Sequence, residues 1–111
     1  MNALVARLAQ GEHPITLGGP EQEITDLKKR IEEIGYVFIK FTDTLGGTDL
    51  GVHVDSATTQ IGSADFMHAT GMIHIEGDLI LNFVPVRCVA DINLATRQGT
   101  GHLVVVQTVH S

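Results

Sequence analysis

Three side chains that bind protons or metals recur at alternate positions in one short stretch, His74, Glu76 and Asp78 of Met-Ile-His-Ile-Glu-Gly-Asp. On a strand, residues two apart project to the same side, so an imidazole would stand beside two carboxylates. His74 and Glu76 can supply two ligands to zinc or another divalent ion, with a third from His68, Asp91 or His102 across the sheet. The metal candidates are therefore His74, Glu76 and His68. The competing reading turns Ile73, Ile75 and Leu79 to the core and leaves the polar set as the wet face of an antiparallel sheet. Neither His-Glu-X-X-His nor Cys-X-X-Cys spacing occurs, so no local motif backs the metal.

Acid–base chemistry has a second starting point in Asp91, inside Val-Ala-Asp-Ile-Asn-Leu. If that strand face were enclosed, desolvation would raise the carboxyl pKa and suit it to proton transfer with His74 or His102. Asp91, His74 and His102 are the catalytic candidates. A strand with one solvated face explains the same pattern without chemistry. Ser56, Ser63 and Ser111 have no elbow or triad context. Gly18-Gly19-Pro20-Glu21 lacks the Lys and Ser/Thr of a phosphate loop. No organic cofactor has a signature here, and a divalent ion is the one cofactor in view.

These side chains must be positioned by a small scaffold. At 111 residues and 43% apolar composition, the chain is expected to fold as one domain, residues 1–111, around a single core. The net charge of −6 argues against nucleic acid, because a phosphate-binding surface needs clustered cations. Lys28, Lys29 and Arg30 sit beside acidic residues, and the other cations are scattered. No apolar run approaches the length that spans a membrane. Cys88 lies among Val86, Val89 and Ala90, as a small core hydrophobe would. A lone cysteine suits a reducing compartment, and the cytoplasm is expected.

Residues 2–10 predict a short helix carrying Leu4, Val5 and Leu8, and residues 15–17 a short edge strand. Residues 20–34 predict the main helix, with Pro20 at its first position, an apolar stripe of Ile24, Leu27, Ile31 and Ile34, and Gly35 as its stop. Asp26 with Arg30, Lys28 with Glu32 and Lys29 with Glu33 are spaced to pair along it. Strands follow at 36–41 and 50–55, then a loop over 56–71 pinned by Ile61, Phe66 and Met67. A meander of strands at 72–76, 79–84, 86–94 and 102–109 is broken at Gly77-Asp78, at Pro85 and over 95–101, with the alternative that Pro85 sits on an edge strand or at a bulge within one longer strand. The fold class expected is α+β, with one amphipathic helix packed across a curved, mostly antiparallel, β-grasp-like sheet and a short N-terminal helix beside it.

Residues 27–54 carry Ile31 and Val37, then Phe41-Thr42-Asp43, Gly46, and His53-Val54. This helix, strand, turn and return strand is similar to the N-terminal β-grasp domain of glutamine synthetases. The resemblance implies that fold and subunit contacts. It does not imply ligase activity, because the acidic Phe-Asp-Gly-Ser-Ser loop of those enzymes has no match and their catalytic domain is missing. The leading functional expectation is a non-catalytic accessory module that acts by protein–protein contact and self-association, alongside a biosynthetic enzyme. Its basis is that Leu79-Ile80-Leu81 and Leu103-Val104-Val105-Val106 do not alternate, so both faces need cover. A β domain enclosing a small apolar ligand, with isomerase or cyclase chemistry, is the alternative. The divalent-metal protein is the third.

Overall fold

A computed structural model describes residues 3–18 and 24–106. Its strands are β1 (His13–Leu17), β2 (Tyr36–Phe41), β3 (Thr48–Val54), β4 (Met72–Leu81), β5 (Val84–Asn93) and β6 (Gln98–Val105). Each pairs antiparallel with its sequence neighbour, and β1 pairs with β6, so the sheet closes into a barrel. The α+β, β-grasp-like expectation, and with it the fold implied by the glutamine synthetase resemblance, is corrected. The apolar strands shield their inner face by curling the sheet on itself, not by lying under one long helix. Ile39, Phe41, Val52, Ile75, Cys88, Ala90 and Ile92 have no exposure, and they alternate with outward residues along their strands.

Two short helical segments lie at the barrel's two ends. α1 (Ala3–Leu8) buries Val5 and Leu8 where β1 begins. α2 (Ile24–Lys29) and a π-helical turn (Arg30–Ile34) connect β1 to β2 at the other end. The start expected at Pro20 lies outside the described residues. Ile24, Leu27 and Ile31 are buried, whereas Ile34 is exposed. The π turn explains this, since its wider winding carries Ile34 off the stripe. Gly35 ends it at φ 73° and donates its N–H to the Arg30 carbonyl. Of the three side-chain pairs expected, Lys28–Glu32 comes within reach at 3.9 Å, between half-exposed groups.

β6 begins at Gln98, inside the break expected over 95–101, and its end expected at 109 lies outside the described residues. Three further expectations for the strands fail for local reasons. β1 is no edge strand, because Ile15 pairs with Phe41 on one side and Gly99 on the other. Gly77 does not break β4. It faces inward, where a Cβ would overlap the His53 carbonyl and the Val52 side chain, so its glycine permits close approach of β3. Pro85 does not break β5 either. Its carbonyl accepts from Val106 N–H just past the last β6 rung, Val86–Val105, so its missing donor forgoes only the return bond to Val106 at the end of the ladder. The turn falls instead at Asn82-Phe83, φ 49° and 68°, between the paired Leu81 and Val84.

Candidate functional site

On the outer face of β4 and β5, the register places His74 opposite Asp91 and Asp78 opposite Arg87. His74 Nε2 lies 2.6 Å from Glu76 Oε2, and Nδ1 lies 2.8 Å from Asp91 Oδ1. A neutral imidazole donates only once, so two carboxylates are satisfied together only by the imidazolium. The hydrogen bonds to Glu76 and then Asp91 accordingly hold the His74 pKa above its ordinary value, against the opposing pull of burial. The same bond depresses the Glu76 pKa, with help from Arg87.

Arg87 continues this row and is the residue that sequence reasoning missed. Its Nε donates to Glu76 Oε1 at 3.1 Å, and Nη1 donates to Asp78 Oδ1 at 3.3 Å. Nη2 donates to Asp55 Oδ2 at 2.9 Å and Thr58 Oγ1 at 2.6 Å. Asp55 is held below the usual carboxylate range chiefly by Arg87. The guanidinium thereby fastens the start of the 56–71 loop to the sheet. Thr59 adds a second tie, its hydroxyl donating to the Glu76 carbonyl and accepting from the Glu76 N–H.

The other candidates are elsewhere. His102 lies on β6, beyond β5 from His74, with Nδ1 2.9 Å from Glu12 Oε1 but not aligned to donate to it. His68 is in the loop, 2.6 Å from Asp65. Asp65 also accepts from the Met67 and His68 N–H groups, and these bonds, led by the His68 side chain, lower its pKa. Phe66 is buried there and Ile61 is partly buried, but Met67 is exposed, so Met67 does not pin the loop. Among the described residues no group of three or more His, Cys, Asp or Glu could hold a metal ion. His74 and Glu76 do meet, but each ring nitrogen of His74 is already directed at a carboxylate. Cys88 is buried in the barrel and its thiol is pushed up to about 12 by desolvation, far from a reactive thiolate.

A second imidazole, His13, forms a buried latch. Its Nδ1 lies 2.7 Å from Asp43 Oδ2, and Nε2 lies 2.9 Å from the carbonyls of both Arg7 and Gln10. Arg7 reaches back to donate to the Asp43 carbonyl at 2.8 Å. Together they tie α1 to the β2–β3 turn. The bond to Asp43 is the main cause of a raised His13 pKa and a lowered Asp43 pKa.

A cleft of ≈ 630 Å³ lies on the β3–β4 side of the barrel, lined by Tyr36, Gly51, His53 and Asp78 and by the apolar Leu79, Ile80, Pro85, Val86 and Val106. It opens where β3 and β4 part. Their ladder consists of His53–Asp78 and Val54–Gly77 and does not continue to Gly51 opposite Ile80. Tyr36 lies over Gly51, where any Cβ would collide with its hydroxyl. The Tyr36 ring also meets the His53 ring edge-on at 4.9 Å.

No helix among the described residues is long and apolar enough to cross a membrane. Comparison with models of known protein families gives no match, and comparison with curated proteins finds no relative.

Proposed function

We propose that this chain is a non-catalytic binding module that works by protein–protein contact, including contact with further copies of itself. The observation that carries this reading is the apolar surface at one end of the barrel. Phe83 is 99% exposed and Ile80 73% exposed, and Val104 and Val106 are also exposed. The β2–β3 turn at that same end carries Leu45, fully exposed as well. Large apolar side chains grouped on a surface mark interaction sites. The polar row on β4 and β5 supports a structural role for the charges, because His74, Glu76 and Arg87 are spent on one another and on the adjoining loop. The net charge of −6 opposes contact with nucleic acid. The unpaired, buried Cys88 suits a cytoplasmic setting.

Size-exclusion chromatography with light scattering tests this reading. The wild-type protein is expected to elute at a multiple of its 11.9 kDa chain mass, and Ile80→Asp with Phe83→Asp is expected to return it to a monomer. A wild-type protein that stays monomeric at high concentration would count against self-association.

A further inference from the structure

We infer that the parting between β3 and β4 is an acceptor slot for an extended peptide whose apolar side chains alternate with basic ones. This rests on the reading of the chain as a contact module and names its partner chemistry. Val54 N–H donates to the Gly35 carbonyl, so by antiparallel alternation Val54, Val52 and Leu50 direct their backbone groups to β2. His53, Gly51 and Asp49 direct theirs to the other side, toward β4. Asp55 N–H donates to the Glu76 carbonyl, in step with the His53–Asp78 rung. Beyond that rung the ladder stops, which leaves the edge-facing groups of Gly51 and Asp49 without a strand partner among the described residues, and it is with this β3 edge that the added strand would pair. An open strand edge is a template for adding another strand.

The surroundings select what the strand would carry. Inward side chains of the added strand would meet Leu79 and Val86, an apolar floor with the exposed Val106 at its rim. Outward side chains would lie between Asp49 and Asp78, both exposed and both on the outer face. The nearest cations are Arg87, which holds one Asp78 oxygen at 3.3 Å, and Lys40, the cross-strand partner of Asp49. With a net charge of −6 on the chain, a basic outer face is the complementary one.

The probe is a labelled hexapeptide, Lys-Val-Lys-Val-Lys-Val with blocked ends, titrated by fluorescence anisotropy into the wild-type protein and the Phe83→Asp variant. Two N-methylated versions are compared, one methylated at every Val and one at every Lys. A strand presents alternate N–H groups to opposite sides, so one version loses its bonds to the protein and the other does not. The expected result is saturable binding that one pattern weakens by about tenfold or more, the other pattern leaving it little changed. Val106→Asp should abolish it. Equal loss with both patterns, equal retention with both, or no binding of the parent peptide would overturn the proposal. Binding of 1-anilinonaphthalene-8-sulfonate that Val106→Asp removes, with no peptide binding, would overturn it in favour of a small-molecule pocket. An oligomer that takes no peptide defeats this proposal alone, and a monomer that binds the peptide defeats only the self-association.

Discussion

The two paired histidines act as protonated fasteners. His13 is buried apart from 8% of its surface and directs both ring nitrogens at oxygen acceptors, so only the imidazolium satisfies them all. Replacing it with Gln leaves the Asp43 carboxylate without its charged partner, and Asp43 Oδ1 already has no hydrogen-bond partner among the described residues. His13→Gln is therefore expected to lower unfolding stability by about 1–3 kcal/mol, read from urea denaturation, and to increase hydrogen exchange in α1. Arg87→Met should act differently. It leaves Glu76, Asp78 and Asp55 crowded around an apolar stem, and protection from exchange should fall at Asp55 to Thr59 while the barrel strands stay protected. At this scale the sequence disclosed that His74 and Glu76 share a strand face, which needs only the two-residue strand period. It hid Arg87 and the His13–Asp43 latch, since these contacts span residues 32 and 30 apart in the chain and depend on register.

At the scale of elements, the β4–β5 hairpin contains a local conflict. A two-residue turn with both φ positive favours Asn-Gly, and Asn82 obeys while Phe83 does not. A bulky residue in the left-handed region costs about 1–3 kcal/mol and is retained here at an exposed tip that nothing in the barrel packs against. Phe83→Gly should relieve part of that cost, less the entropy a glycine adds to the unfolded chain. Thermal denaturation is expected to shift upward by roughly 2–6 °C, and self-association is expected to weaken in the same variant. A lower melting temperature would show that the turn is not strained. β2 was legible to the residue from its β-branched and aromatic run, and so was the stop at Gly35. The hairpin turn was not, because Gly77-Asp78 and Pro85 carry stronger turn signals than Asn82-Phe83. Their real roles, close approach of β3 and the end of the β6 ladder, are properties of neighbouring strands.

At the scale of the whole molecule, closure of the barrel was the feature least visible in the sequence. It depends on β1, five residues interrupted by Pro14, joining β2 to β6. That join places β1, and the His13 latch on it, where loss of the latch loosens the seam as well as α1. The consequence is a stability optimum on the acid side of neutrality. His13 and His74 have folded pKa values raised above 6.5, so their contribution is full below about 6.5 and fades as pH rises through the raised values. Asp43, Asp55, Asp65 and Glu76 are lowered from 3.8 or, for Glu76, 4.5. Their contribution is full above those ordinary values and fades as pH falls through the lowered ones. Between the carboxylate and imidazole ranges, roughly pH 5 to 6, both sets contribute. Denaturant midpoints measured from pH 3 to pH 9 should therefore peak in that window and decline on both sides. In His13→Gln the alkaline decline should be shallower, since one of the two groups that drive it is gone. An alkaline limb identical to that of the wild type would mean that His13 is not held as the imidazolium, and the latch would then be neutral packing.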